Sequence, residues 1–438
     1  MDIKAIVSVI IFVGAYVLIA TEKINKTIVA ILGGVLMLCF HLVSFEQAMA
    51  AIDLNVIFLL VGMMAAMYIL SQTGFFQWVA VSIAKHAKGN PLLIMLLMVV
   101  VTAFISAFLD NVTTVVLLVP VTILIAQILE ISPVPFIITE AIASNIGGTA
   151  SLIGDPPNIL IGLQAGLSFN DFLINLAPGV LVILAVFIAT VLLVFRRQLK
   201  VPRKVRERLA DSIPHLAIVD PATMKKALIV LGCMMLGFFF HTYLHLEAGI
   251  IALAGGMILL LICRAESNEA LMQVEWGVIF FFIGLFMMSS ALQHNGVIGF
   301  LADSMLKLSR NNLTATCLIL LWGSAILSAF LDNIPFVITM VPILKMLFPP
   351  IALSMGITDP HQIHLQVAQP LWWSLALGAC LGGNGTLIGA SANVIAARIS
   401  EKNGYPLSFM HFTKYGFLFM LQSVAISTLY IWLRYLRQ

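Results

Sequence analysis

The stretch Ser106-Ala-Phe-Leu-Asp110-Asn111 decides the fold, because it places a carboxylate and an amide within a long apolar segment. Polar groups at such a depth are costly in a membrane and mark functional sites. The same six residues return as Ser328-Ala-Phe-Leu-Asp332-Asn333, and a proline follows each copy at the same distance, as Pro120 and Pro342. A duplicated polar pair in apolar sequence predicts a chain built from two copies of one unit.

The composition indicates a protein that lies in a lipid bilayer. Of the 438 residues, 61% are hydrophobic and 10% are charged, and the mean hydropathy is +1.07. Spanning segments have to satisfy their own backbone hydrogen bonds, and open strands cannot. We therefore expect an all-α polytopic membrane protein. The net charge of +3 is too small to indicate a nucleic-acid partner.

The duplication extends far beyond the six-residue stretch. Gly33-Gly34 matches Gly255-Gly256, and Gly62 matches Gly284, all at one constant offset. After an insertion in the second copy, Gly147-Gly148 matches Gly382-Gly383. The sequence therefore predicts a first repeat over residues 1–195, a basic linker over 196–225 and a second repeat over 226–438.

Each repeat is expected to contain a helical hairpin and a broken transmembrane helix. Asp110-Asn111 and Asp332-Asn333 would lie at the hairpin turns, since the apolar runs on either side are joined with almost no loop. The broken segments are 145–158 and 380–393, where glycine pairs, and Pro156-Pro157 in the first copy, interrupt apolar sequence. Corresponding broken segments in two halves point to a transporter binding site.

Counting the crossings predicts the orientation of the repeats. A hairpin adds an even number of crossings and the other five runs add an odd number, so the two repeats should have inverted topology. Lys and Arg concentrate in cytoplasmic loops, and placing linker 196–225 in the cytoplasm puts most of the 23 basic residues there. We expect a multi-pass protein of the plasma (inner) membrane, with the first hairpin entering from the cytoplasm and the second from outside.

Neutral polar side chains at the hairpin turns and broken segments are the candidate solute ligands, since their amides and hydroxyls both donate and accept hydrogen bonds. The candidate substrate-binding residues are Asn111, Thr113, Thr114, Asn145, Thr149, Ser151, Asn158, Asn333, Asn384, Thr386, Ser391 and Asn393.

Four acidic residues are candidates for proton coupling. Asp110 and Asp332 occupy equivalent positions, and a buried carboxylate can take up and release a proton. Each could instead serve only as a helix cap. Asp155 and Glu140 are further candidates without an acidic counterpart in the second repeat. The sequence predicts no catalytic, metal or cofactor site, so we expect no enzyme. Energy would come from an ion gradient or from a separate ATPase subunit.

Three motifs resemble those of a known family. They are Leu109-Asp110-Asn111 with Thr114, the segment 145–158, and the segment 381–393. The chain resembles the arsenite permease and pink-eyed-dilution P-protein family of the ion transporter superfamily, to which the divalent anion–sodium symporters are related. The resemblance implies an inverted-repeat fold that alternates between inward- and outward-facing states.

The predicted function is secondary active transport. Two aspartates at the hairpin turns would repel a dianion, which favours a proton-coupled antiporter that exports arsenite or antimonite. Na⁺/H⁺ antiport, anion or dicarboxylate permeation and a non-transporting membrane scaffold stay open as alternatives. The expected partners are the lipid bilayer, a small inorganic solute, and protons or Na⁺. A homodimer also stays open.

Overall fold

The computed structural model describes residues 2–21, 23–197, 199, 201–210, 213–264 and 267–437. Within them, ten helices are long and apolar enough to cross a membrane. Many of their large side chains, such as Phe104, Leu181 and Leu193, are exposed on the outer surface. An apolar exterior of this kind matches a lipid environment. The chain is an all-helical, multi-pass membrane protein, as predicted.

The first repeat forms eleven helices within the described residues. They are α1 Ile3–Ala20, α2 Lys26–Cys39, α3 Phe45–Ala50, α4 Leu54–Gln72, α5 Phe75–His86, α6 Pro91–Phe108, α7 Asn111–Ile128, α8 Val134–Gly148, α9 Pro156–Ala165, α10 Phe169–Asn175 and α11 Ala177–Phe195.

The linker region contributes α12 Arg203–Ala210, and its residues 198, 200, 211 and 212 lie outside the described part of the chain. The second repeat then forms α13 Pro221–Leu244, α14 Ala248–Cys263, α15 Ser267–Met272, α16 Trp276–His294, α17 Val297–Ser309, α18 Leu313–Phe330, α19 Asn333–Ser354, α20 Pro360–Ile363, α21 Gln369–Gly382, α22 Ser391–Lys402 and α23 Phe409–Ile431.

Helix α13 begins at Pro221, within the predicted linker over 196–225. Asp220 accepts hydrogen bonds from the backbone N–H groups of Ala222 and Thr223, both at 3.0 Å, and so caps α13. Pro221 occupies the first helical position, where its missing N–H costs nothing. The last five residues of the predicted linker are therefore helical.

Helices α2, α4, α14 and α16 interlock across the two repeats, and we call them the scaffold. Helix α4 packs on α14, and α2 packs on α16. Equivalent glycines permit this close approach. A Cβ on Gly62 would lie 2.2 Å from the backbone of Ala252, and one on Gly284 would lie 2.4 Å from that of Ala30. Small residues of this kind let membrane helices pack backbone against backbone.

The two hairpins and the two broken helices form a second layer, which we call the transport unit. The first hairpin is α6–α7 and the second is α18–α19; the broken helices are α8–α9 and α21–α22. Residues 136–148 and 370–382 are buried throughout. Helix α7 packs on α22, and α19 packs on α9. Each hairpin thus contacts the broken helix of the other repeat.

Candidate functional site

The end of the first hairpin is closed by Asp110. This residue caps α7: its Oδ1 accepts a 2.9 Å hydrogen bond from the backbone N–H of Thr113, and its Oδ2 accepts another from the Thr113 hydroxyl. The Thr114 hydroxyl donates to the Asp110 carbonyl at 2.9 Å. Both carboxylate oxygens are therefore bound by groups from their own helix.

The end of the second hairpin differs because Pro335 replaces Thr113 and has neither an N–H nor a hydroxyl. Asp332 Oδ1 accepts a 3.2 Å bond from the N–H of Ile334. Its Oδ2 accepts hydrogen bonds from Lys26 Nζ at 2.6 Å and from the Ser391 hydroxyl at 3.2 Å. The second aspartate therefore reaches partners on other helices.

Sequence reasoning missed Lys26. The residue equivalent to it in the second repeat is Ala248, so the duplication gives no signal for it. Lys26 occupies the first position of α2. A cation is unfavourable there, beside the positive end of the helix dipole. That unfavourable position is the one signal that could have singled it out.

Both helix breaks are held open by matching side chains. Asn158 Nδ2 donates to the carbonyls of Thr149 and Ser151 at 3.1 and 2.9 Å. Its counterpart Asn393 donates to the carbonyls of Gly383 and Thr386 at 2.9 and 3.1 Å. The freed carbonyls of a broken helix need such donors away from water. Asn158 and Asn393 therefore have a structural role.

The hydroxyls of Ser151 and Thr386 fix the breaks to the hairpins. Ser151 donates to the carbonyl of Ala107, and Thr386 donates to the carbonyl of Ala329. The Thr149 hydroxyl bonds the Asn145 carbonyl within its own segment, at 2.7 Å. The hydroxyl groups of these three predicted ligands therefore donate their hydrogen bonds to backbone carbonyls.

Four asparagines from both repeats meet between the breaks. Asn145 Nδ2 donates to Asn384 Oδ1 at 2.8 Å and to Asn393 Oδ1 at 3.1 Å. Asn145 Oδ1 accepts a 2.9 Å bond from Asn111 Nδ2, which also donates to Asp155 Oδ1 at 3.2 Å. The structure thus brings together five residues that sequence reasoning had singled out.

Several polar atoms of this cluster are buried and have no hydrogen-bond partner among the described residues. They are Asn111 Oδ1, Asp155 Oδ2, Asn333 Nδ2 and Asn384 Nδ2. The set contains two acceptors and two donors. A buried polar group without a partner costs about 1–3 kcal/mol. The Asn333 side chain interacts with the Asp155 carboxylate, which places it beside the asparagine cluster. These donors and acceptors can bind a small hydroxylated or charged solute, which would remove that cost.

Glu140 lies away from the cluster, on the part of α8 that precedes Asn145. Its Oε1 accepts a 2.8 Å bond from the Thr122 hydroxyl of α7, and its Oε2 is buried without a partner. No group of three or more His, Cys, Asp or Glu within the described residues is arranged to hold a metal ion.

A cavity of about 460 Å³ leads to the second hairpin end. Lys26, Asp332 and Ser391 border it, together with Glu275 and Arg398. Helix α2 begins at this cavity and crosses the molecule toward the end where α4 begins. The positive-inside rule predicts that the Lys26 end faces the cytoplasm.

Hydrogen bonds between helices close the opposite end. Gln164 Nε2 of α9 donates to Asp53 Oδ2 at 2.9 Å, which joins the transport unit to the start of α4. Asn55 Nδ2 donates to Glu247 Oε2 at 2.7 Å. A cavity of about 380 Å³ at this end is bordered by Gln164 and Lys345 but, within the described residues, by none of the three aspartates of the site.

Comparison with known proteins agrees with this architecture. The family described as a citrate transporter matches residues 16–378. An uncharacterized transporter of Mycobacterium tuberculosis is 41% identical over 438 residues, which cover 98% of this chain and 99% of that protein. The P protein of Homo sapiens is 32% identical over 512 residues, which cover 98% of this chain and 60% of that protein.

A solved structure shares the fold. The YdaH transporter of Alcanivorax borkumensis, whose topology is described as unusual, superimposes with a TM-score of 0.57 at 15% identity, over 89% of this chain and 86% of that one. The predicted kinship with P proteins is confirmed, and the matching family is that of citrate transporters. The chain is a membrane transporter that belongs to the citrate transporter family.

Proposed function

We propose that this chain is a proton-coupled secondary transporter of the plasma membrane that exports arsenite or antimonite by alternating access. The observation that carries the proposal is the buried cluster of unpartnered amide and carboxylate atoms between the two broken helices. Such atoms are costly unless a solute binds them. Asp155 and Asn384 lie at the corresponding breaks, and Asn111 and Asn333 lie at the hairpin ends. Corresponding breaks in two repeats support a transporter binding site at this place.

The charges around the cluster favour a solute without net negative charge. The carboxylates of Asp110 and Asp332 both act on Asp155, and Lys26 is bound to one of the three. A dianion at this place would meet like charges at short range. The hydroxyls of As(OH)₃ can instead donate to Asp155 and accept from the amides of Asn333 and Asn384.

Asp332 is the proposed coupling carboxylate. Its Oδ2 is bound by Lys26 of the scaffold, so a movement of the transport unit can change this partner. Asp110 is bound by its own helix and would keep its partners during the same movement. The sequence predicts equal roles for Asp110 and Asp332 in proton coupling. We propose instead that Asp332 carries the coupling proton and that Asp110 caps its helix.

A second candidate substrate is an organic anion such as citrate. The family description supports it, and so do Lys26 and Arg398 at the border of the cavity. Those two cations would attract an anion at the cavity mouth. The three aspartates deeper in the site are what rank this candidate second.

Proteoliposomes containing purified protein test the proposal. With a pH gradient imposed, radiolabelled arsenite, Na⁺ and citrate are supplied separately while proton flux is recorded. We expect arsenite movement with opposite proton flux. Citrate movement without arsenite movement would assign the second candidate, Na⁺ movement with opposite proton flux would assign Na⁺/H⁺ antiport, and no movement of any of them would contradict the transport reading of the cluster.

Aspartate variants test the coupling. Asp332→Asn should abolish the dependence of transport on pH, because the amide can neither take up nor release a proton. Asp110→Asn should retain most of that dependence, since asparagine caps a helix about as well as aspartate. Equal pH dependence in the wild type and in Asp332→Asn would remove Asp332 from the coupling mechanism.

A further inference from the structure

We propose that Lys26 is a positioning residue that acts as a tethered cation: its ammonium group displaces the coupling proton from Asp332 in the cytoplasm-facing state. The inference rests on the proposed proton coupling and adds the group that drives proton release.

The ammonium group of Lys26 is held in place by three contacts. Its Nζ lies 2.6 Å from Asp332 Oδ2 and 2.8 Å from the Ser391 hydroxyl. It also lies 5.0 Å from the centre of the Phe281 ring, within reach of a cation–π interaction. Two hydrogen-bond acceptors and one ring therefore hold the ammonium over the carboxylate.

Lys26 and Asp332 belong to parts of the molecule that should move relative to each other. Lys26 begins α2, which packs on α16 in the scaffold, whereas Asp332 caps α19 in the transport unit. Ser391, the third member of the contact, begins α22 of the same transport unit. The 2.6 Å ion pair thus joins the two layers. A movement of one layer past the other would separate the two charges.

The other titratable groups near Asp332 cannot replace Lys26. Tyr16 of α1 and Asp155 at the first break both interact with the Asp332 carboxylate, but neither carries positive charge. Glu275 borders the same cavity and is acidic. Arg398 of α22 is a cation, but it belongs to the transport unit and would travel with Asp332.

The proton balance of the step is simple. In the cytoplasm-facing state the ammonium approaches, Asp332 releases its proton to water in the cavity, and the carboxylate pairs with Lys26. Movement of the transport unit separates the pair, and the carboxylate then takes up a proton from the opposite side. Lys26 supplies positive charge and no proton to this step, so one proton crosses for each separation of the pair.

Lys26→Gln tests the role, because glutamine can bond both Asp332 and Ser391 but carries no charge. The matched control is Lys23→Gln, an exposed lysine three residues earlier. Each variant is assayed in proteoliposomes for proton-driven transport and for solute exchange at equal pH. A neighbouring cation favours an ionised carboxylate by about tenfold or more, so Lys26→Gln should lower the ratio of driven transport to exchange about tenfold. Lys26→Arg should restore most of that ratio, and Lys23→Gln should leave it unchanged.

The outcomes separate this inference from the proposed function. Wild-type protein without any proton-driven transport would contradict proton coupling itself. Wild-type coupling together with an unchanged ratio in Lys26→Gln would overturn the role of Lys26 alone. Equal losses of driven transport and exchange in Lys26→Gln would also overturn it, because they indicate a merely structural contact.

Discussion

The Asn145 amide donates a 3.1 Å hydrogen bond to the side-chain oxygen of Asn393, which belongs to the other repeat. The equivalent contact runs in the opposite direction, from the Cys380 thiol to the side-chain oxygen of Asn158 at 3.4 Å. The two contacts are related by the duplication, although one donor is an amide and the other a thiol. The site is therefore symmetrical in construction and asymmetrical in chemistry.

Removing the Asn145 side chain should destabilise the site strongly. Asn145→Ala leaves Asn111, Asn384 and Asn393 each without one partner in a buried place. At about 1–3 kcal/mol for each unsatisfied group, the loss should reach several kcal/mol, measured by thermal unfolding in detergent. Asn403→Ala is the control, because among the described residues that exposed amide donates to the carbonyl of Ile399, within its own helix end. Equal unfolding temperatures for the two variants would contradict the importance of the cluster.

Alanine at the scaffold glycines should force the interlocked helices apart. Gly62→Ala and Gly284→Ala each place a Cβ within 2.4 Å or less of a neighbouring backbone. Overpacking costs about 1–3 kcal/mol, which an unfolding series in denaturant would detect. Gly323→Ala in α18 serves as the control because it meets open space. Similar stability in all three variants would mean that the scaffold helices pack more loosely than described.

Substitution of Thr122 should lower the stability of the protein, whereas substitution of Glu140 by glutamine should not. Glu140→Gln keeps the bond to Thr122 and removes a buried acidic group, so the unfolding temperature should stay the same or rise. Thr122→Val removes the donor that binds Glu140 Oε1 at 2.8 Å, which should cost about 1–3 kcal/mol. A large loss of stability in Glu140→Gln alone would show that the carboxyl group has a partner that amide chemistry cannot replace.

Gln164 should hold the end opposite Lys26 closed. Hydrogen bonds to charged groups contribute about 1.5–3 kcal/mol, so Gln164→Leu, which loses the 2.9 Å bond to Asp53, should open that end at least about tenfold more often. The readout is the rate at which a membrane-impermeant maleimide labels Ser289→Cys in a cysteine-free background. Ser289 borders the cavity at this end.

The exposed Gln77 of α5 provides the matched control. Gln77→Leu should leave the labelling rate of Ser289→Cys unchanged. Unchanged labelling in Gln164→Leu as well would show that the bond between Gln164 and Asp53 does not hold this end closed.

The repeat made much of the architecture predictable. Hairpin ends at Asp110 and Asp332 follow from adjacent apolar runs, and helix breaks follow from paired glycines. A sequence pattern shows which residues are polar but not what they bond. Of the predicted ligands, Asn158 bonds the backbone of its own break and Ser151 bonds the backbone of the first hairpin. Lys26 was hidden because contacts across 306 positions of the chain leave no local pattern.

The proline that replaces Thr113 in the second repeat has an electrical consequence. Because Pro335 has no N–H or hydroxyl to offer, one oxygen of Asp332 is free to pair with Lys26. The proposed cycle carries one proton on this carboxylate, so it moves a single elementary charge while the solute stays neutral. A charge that crosses a membrane potential of 100 mV gains about 2.3 kcal/mol. Voltage alone could then concentrate or expel the solute, even with equal pH on both sides. The loss of one backbone N–H would thus make the carrier electrogenic.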